Sequence, residues 1–218
     1  CAGDSEGNIR ILQSESCKQK YRMTSGTSRS QSTRIWSLVF LSDGIIVSGN
    51  SFGDTEFWDS SVGVQLQSLR THFNDIISMA ATKNENTLII AGINSKIVKV
   101  NRTNDRWVIE LGRKLHSHDI SCVSLSHNDE WIVSGGLDKL LIRQKLKKME
   151  PERTYNETQR LYPFPHYPVF SSTKGNYPLV LTHSDTILQL WGMGKAFRDD
   201  VSQTSYMNFK ELQLEQFV

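Results

Sequence analysis

The chain has 218 residues, of which 38% are hydrophobic and 22% charged, and a formal net charge of +2. That balance excludes a protein whose whole surface binds nucleic acid, so any such contact must be local. No run of 18 apolar residues occurs, so no membrane contact through a spanning helix is expected. The three cysteines, Cys1, Cys17 and Cys122, form neither a CxxC pair nor a metal-ligand spacing, and their odd number argues against a disulfide framework and for a reducing compartment.

In chain order, Asn8 to Leu12 reads as a strand. Residues 13–34 then form a polar connection with five basic side chains, Lys18, Lys20, Arg22, Arg29 and Arg34, and no acid after Glu15. Lys18 to Met23 is expected to form an outer strand and Thr24 to Gln31 a loop. The connection reads either as a solvated loop or as a contact for a phosphate backbone. From Thr33 to Gly63 three strands follow in a row: Ile35 to Phe40, a turn at Ser42-Asp43-Gly44, Ile45 to Ser48, a turn through Gly53, then Thr55 to Asp59. Asp-Gly between two apolar runs is a strong hairpin signal because both turn residues must tolerate positive φ. The third strand ends in Phe57-Trp58-Asp59, and Val64 to Leu69 supplies a fourth. Four short antiparallel strands ending in a Trp-Asp pair describe one blade of a WD-type propeller.

The blade recurs. A small-Gly step follows the middle strand at Ala2-Gly3, Ser48-Gly49, Ala91-Gly92 and Ser134-Gly135, with a degenerate copy at Leu181-Thr182. The spacings are 46 (49 minus 3), 43 (92 minus 49), 43 (135 minus 92) and 47 (182 minus 135), against a WD repeat of about 40–45 residues. The fold class is therefore all-β, an incomplete arc of about four and a half WD40-type blades. Its parts are 1–34 (the end of a blade plus the basic connection), 35–74, 75–118, 119–165 (with a basic outer segment) and 166–218 (degenerate). The arc looks cut from a longer, tandem-propeller protein, and further blades or partner proteins are expected to be needed for solubility. A His shortly before an Asp-apolar pair marks the lead into a blade, at His72 with Asp75 and at His118 with Asp119. These four, with Trp58 and Asp59, are read as structural residues, the His bonding to a turn Asp within its blade. The outer strand of the third blade is placed at Arg106 to Glu110, and the tail, Tyr206 to Leu214, fits another outer strand. A second basic stretch, Lys145, Lys147 and Lys148, has Glu150 and Glu152 beside it and reads foremost as a solvated face.

No constellation for catalysis emerges. Gly192-Met-Gly194-Lys195 lacks the phosphate-loop spacing and puts Ala196 where the metal-binding hydroxyl belongs. His116 and His118 suggest a metal pair with no third ligand, and neither GxSxG nor HExxH occurs. Cys122 lies in an apolar run, where a buried inert thiol is expected. Trp36, Trp58, Trp107, Trp131 and Trp191 all fall on strands and read as packing residues. No enzyme activity, cofactor, metal or small-molecule substrate is expected.

Ile35-Trp36, Phe40-Leu-Ser-Asp-Gly44, Phe57-Trp-Asp-Ser60, the Ser134-Gly-Gly136 to Asp138 step, Phe164-Pro-His166 and Leu188-Gln-Leu-Trp191 with Gly194 together resemble the cirhin family, nucleolar WD-repeat subunits of the small-subunit processome. The resemblance covers roughly residues 33–194. It implies a tandem-propeller scaffold in the nucleolus that engages other WD-repeat and helical-repeat proteins and the 5′ external transcribed spacer of pre-ribosomal RNA. It also implies support for ribosomal DNA transcription and 18S rRNA maturation, with no catalytic residue to carry over. Val100-Asn101 and Ile142-Arg143 stand where that pattern has Trp-Asp. The basic connection matches the family in position and charge more than in sequence, so Lys18, Lys20, Arg22, Arg29 and Arg34 are RNA-contact candidates from charge, with Lys145, Lys147 and Lys148 second. The competing reading is a cytoplasmic WD40 adaptor that binds peptides, in a ubiquitin ligase or a signalling complex, without RNA.

Overall fold

A computed structural model describes residues 1–26, 33–126, 128–138 and 140–156, then the strands at 169–171, 179–184, 187–192 and 212–213; for 153 and from 155 onward the backbone alone is described. The chain divides into two compact units, Cys1–Ile120 and Ser121–Val218.

The first unit holds three antiparallel sheets. The first blade is β1 (Ala2–Gly3), β2 (Asn8–Leu12) and β3 (Gln19–Thr24). The second is β4 (Ile35–Phe40), β5 (Ile45–Asn50), β6 (Asp54–Asp59) and β7 (Val64–Arg70), paired in that order. The third, β8 (Ile76–Ala81), β9 (Thr87–Gly92), β10 (Lys96–Thr103) and β11 (Arg106–Lys114), repeats the order. Burial falls sharply from the third strand to the fourth. β6 is buried over five of its six residues, while β7 has none buried. The central strands alternate nothing because both faces are covered, and their Val, Ile, Phe and Trp suit that position.

Two apolar layers join the three sheets. Ile9, Met23, Ile35, Ile46 and Trp58 form one, between the first and second blades. Val47, Phe57, Leu88, Val98, Val100 and Trp107 belong to the other, between the second and third, where the rings of Phe57 and Trp107 stack at 4.9 Å and 13°. Burying each such side chain stabilises the fold by about 1.5–3 kcal/mol. The Gly49 position is set by close approach: a Cβ there would lie 2.4 Å from Ile76 Cγ2 of the next blade. Polar clamps finish the second junction. Ser42 donates from N and Oγ to Glu85, at 2.8 and 2.5 Å, and Arg102 pairs with Asp43 and Asp105. Gln67 on β7 reaches the backbone of β11, its Nε2 donating to the Trp107 carbonyl at 2.7 Å and its Oε1 accepting from the Trp107 N–H at 2.9 Å.

The second unit holds β12 (Ile120–Leu125, beginning at the boundary), β13 (Trp131–Gly136), β14 (Leu140–Lys145) and β15 (Pro151–Asn156), paired in order. A further sheet comprises β16 (Val169–Ser171), β17 (Leu179–Ser184), β18 (Ile187–Gly192) and β19 (Leu212–Gln213). Of the expected tail strand only β19 lies within the described residues. The proline-rich 162–168 and Gly194-Lys195 lie outside them.

Register corrects three readings made from spacing. Gly49 pairs with Thr55 and Ala91 with Ile97, so Ala91, not Gly92, is the counterpart of Gly49. In the last sheet His183 pairs with Leu188 as Gly135 pairs with Leu141, which moves the degenerate step from Leu181-Thr182 to Thr182-His183. Trp58 faces Ile46, and Gln144 faces Ile132, so Gln144-Lys145 rather than Ile142-Arg143 occupies the Trp-Asp position of the fourth blade. Short apolar runs look alike when slid by a residue or two; only pairing fixes which residue is opposite which.

Candidate nucleic-acid interface

The described part of the basic connection is a hairpin turn and an outer strand. Its turn closes with Gln13 N–H donating to the Lys18 carbonyl at 2.9 Å and Cys17 N–H to the Gln13 carbonyl at 2.9 Å, Cys17 taking φ 51°. On β3 the side chains alternate. Met23 is buried, 3% exposed, while Lys20 and Arg22 are exposed. Arg22 Nε donates to Asn8 Oδ1 at 3.0 Å, and Asn8 Nδ2 to Asp4 Oδ2 at 3.0 Å. Asp4 itself pairs with Arg10 at 3.1 Å, and the Asn8 bonds hold its carboxyl below the usual range. Arg22 is thus oriented by a neutral amide and keeps its charge for another partner. Lys20 Nζ lies 5.1 Å from the Tyr21 ring. Arg34 is exposed, its backbone pinned by Ser51: N–H to Ser51 Oγ at 3.0 Å, carbonyl accepting from Ser51 N–H at 2.9 Å. Lys18 precedes β3 and Lys20 and Arg22 lie on it, whereas Arg34 precedes β4 and is held against the second blade. Arg29 lies outside the described residues.

Lys145, Lys147 and Lys148 occupy the corresponding turn of the fourth blade, closed by Met149 N–H donating to the Lys145 carbonyl at 2.8 Å. All three lysines are exposed. Glu152, one of the acids beside them in sequence, is taken by Arg143 at 2.6 Å. Arg143 and Lys145 also lie over Trp131, at 4.5 and 5.4 Å from the ring. Trp131 is therefore a half-buried ring with cations on it, and Trp36, at 47% exposure, is less covered than a packing residue.

The residues read as structural divide. Trp58 is 3% exposed and its Nε1 donates to Ser48 Oγ at 2.9 Å. Asp59 caps the turn, accepting from Ser61 Oγ at 2.5 Å and Ser61 N–H at 2.7 Å, bonds that hold its carboxyl below the usual range. His72 is buried, 3% exposed, and bonds to no turn Asp. Its Nε2 donates to the Lys96 carbonyl at 3.1 Å, which leaves Nδ1 to accept from Thr71 Oγ1 at 3.1 Å. Burial pulls its pKa down to about 4. Gly53, at φ +83°, accepts the N–H groups of both Thr71 and His72, and a Cβ there would strike the His72 carbonyl at 2.3 Å. Asp75 contributes its carbonyl, accepting from Ile93 N–H at 2.9 Å.

His118 is a correction. It is exposed, bonded at Nδ1 to the Ser117 carbonyl at 2.9 Å, whereas His116 is 2% exposed. His72 and His116 each stand four residues before the first strand of the next blade (76 minus 72, 120 minus 116), and both backbones donate to the equivalent turn carbonyls, Gly53 and Ser95. The spacing was the usable signal, and proximity to Asp119, which is half-buried, misled. Cys122 is 5% exposed and burial pushes its thiol up to about 12, an inert thiol at neutral pH.

One basic pair escaped the sequence reading altogether. Lys96 opens β10 and Lys114 ends β11; they are separated in sequence yet directly opposite in register, and both are exposed. No local run of charge announces them.

The comparisons with known proteins agree with this architecture. The model of the WD domain, G-beta repeat, matches residues 109–142. U3 small nucleolar RNA-associated protein 4 of Saccharomyces cerevisiae is 27% identical over 206 residues, covering 88% of this chain and 26% of that protein. The human homolog of that protein is 28% identical over 167 residues, 73% of this chain and 24% of its own, and the Schizosaccharomyces pombe protein 29% over 117 residues, 52% and 16%. The chain spans about a quarter of the length of the first two relatives. Strand order, register and the matched repeat make this a chain of WD-type propeller blades, similar in sequence to U3 small nucleolar RNA-associated protein 4 from yeasts and human.

Proposed function

We propose that the chain is part of a non-enzymatic WD-repeat scaffold of ribosome biogenesis. It works in the nucleolus within the small-subunit processome, toward pre-rRNA transcription and processing to 18S rRNA. Blade faces hold neighbouring WD-repeat and helical-repeat proteins, and exposed cations touch the 5′ external transcribed spacer of pre-rRNA. The observation that carries this reading is the similarity to U3 small nucleolar RNA-associated protein 4 along 88% of the chain. The exposure of Lys18, Lys20, Arg22 and Arg34 without a direct carboxylate partner among the described residues supports the RNA contact. Imaging the tagged intact protein in cells and sequencing the RNA crosslinked to it by ultraviolet light tests the proposal. Nucleolar signal with reads concentrated in the 5′ external spacer is expected; cytoplasmic signal without RNA enrichment would overturn it in favour of a peptide-binding adaptor.

A further inference from the structure

The third blade departs from its neighbours at one register position. There the first blade sets Asn8 opposite Thr24, the second Asp54 opposite Arg70, and the fourth Leu140 opposite Asn156. The Asp54–Arg70 pair is an ion pair at 3.3 Å. The third blade sets Lys96 opposite Lys114, with no carboxylate paired to either among the described residues. Like charges directly opposite on an antiparallel pair weaken it, so this blade carries a repulsion that its neighbours avoid. Gly112 leaves room for the arrangement: a Cβ there would come 2.2 Å from Lys96 Cε. The adjoining Arg113 is exposed where the first blade buries Met23.

The connection before β8 touches the start of β10. The His72 ring bonds the Lys96 carbonyl, and the next residue, Phe73, is 84% exposed, its own carbonyl accepting from Arg70 Nη2 at 3.4 Å. An uncovered aromatic ring one residue from the His72–Lys96 bond, together with two lysines that have no carboxylate partner among the described residues, suits an unpaired polynucleotide, whose bases stack and whose phosphates seek cations.

We propose that Phe73, in the connection before β8, together with Lys96 and Lys114, where β10 begins and β11 ends, forms a binding site for single-stranded RNA, with Arg113 as a further phosphate contact. The choice of RNA rests on the ribosome-biogenesis reading; the site uses none of Lys18, Lys20, Arg22 and Arg34. Base stacking on Phe73 supplies affinity without sequence preference, and the bound phosphates relieve the Lys96–Lys114 repulsion.

The test is fluorescence anisotropy of a labelled oligouridylate with the intact protein across a salt series. Lys114→Glu is expected to weaken binding at least about tenfold and to reduce the salt slope by about one to two. The same variant is expected to raise the thermal midpoint, because an acid opposite Lys96 turns repulsion into attraction. A merely structural role for Lys114 would move both readouts downward together. Phe73→Ala is expected to weaken binding about tenfold and leave the slope unchanged. Unchanged affinity in both variants overturns the site. So does loss confined to a Lys18→Glu/Lys20→Glu variant run in parallel, an outcome that leaves the earlier proposal standing. A polyglutamate peptide that binds more tightly than the oligouridylate and is lost in Lys114→Glu overturns the assignment to RNA. Cellular localisation decides the ribosome-biogenesis reading separately.

Discussion

His72 shows how a single side chain binds two blades. Thr55 Oγ1 lies 2.9 Å from Thr71 Oγ1, so a hydroxyl-to-hydroxyl bond leads from β6 into the ring, and Nε2 passes the connection to the Lys96 carbonyl on β10. The ring is held neutral by burial, which disfavours its charged form. With a folded pKa of about 4 against an ordinary value of 6.5, the unfolded chain takes up a proton between those values that the folded blade refuses. Stability contributed by this residue is therefore complete above pH 6.5 and falls as pH drops, by at most about 1.4 kcal/mol per pH unit until the folded ring titrates. Urea titrations at pH 7.5 and about pH 5 should show this decline, and a His72→Gln variant should show a shallower one; equal slopes would refute the assignment. The two later histidines give a paired measurement. His116→Ala is expected to cost about 2 kcal/mol and His118→Ala less than about 0.5 kcal/mol in the same assay, because only the first is buried.

Among the elements, the turn between the third and fourth strands has one design with three chemistries. Cys17, Gly63 and Met149 all adopt left-handed backbone, at φ 51°, 75° and 52°, and each donates its N–H to the carbonyl four residues back. Only the glycine does so without steric cost. Cys17 is exposed and Met149 is fully buried, so the same substitution should have opposite signs. Cys17→Gly is expected to stabilise by about 0.5 kcal/mol, and Met149→Gly to destabilise by about 2 kcal/mol, since the lost packing exceeds the relieved strain. Denaturant midpoints check both, and a common sign would show that packing does not decide the outcome. Element legibility followed the same physics. The β4 limits Ile35–Phe40 were readable to the residue because an Asp-Gly turn and apolar runs bound them, whereas β11 was read as ending at Glu110 and runs to Lys114. Gly112 and the charged Arg113 and Lys114 gave no β signal, yet on an outer strand their side chains face water and pairing with β10 alone carries the strand on. The basic connection was legible as charge along the chain, but the Lys96–Lys114 pair exists only through register. His116 could have been identified from spacing, and Gln144, buried at the Trp position with no bonded partner among the described residues for its amide, could not.

For the whole molecule, a net charge of +2 hides an uneven distribution. Cations near the core are matched: Lys99 pairs with Glu110 at 2.9 Å, Arg102 with Asp43, and Arg143 with Glu152. Among the described residues, Lys18, Lys20, Arg22, Lys96 and Lys114 on outer strands, turns and strand ends have no carboxylate partner, so attraction to a polyanion acts at the blade periphery and fades with salt over a Debye length of about 8 Å at physiological strength. The periphery is also where backbone remains open to pairing. β11 is the outermost strand of its sheet, with Val108 and Ile109 exposed at 51% and 41%, a sequence and setting that favour strand-to-strand recruitment. The two bonds from Gln67 to the Trp107 backbone act there as a one-residue counterfeit strand: they occupy the donor and acceptor that an incoming chain would use first. Their wider consequence concerns crowding. At high concentration a blade whose edge is already engaged stays selective about its neighbours, and Gln67→Ala should convert it into a seed, seen as concentration-dependent light scattering above that of the native protein.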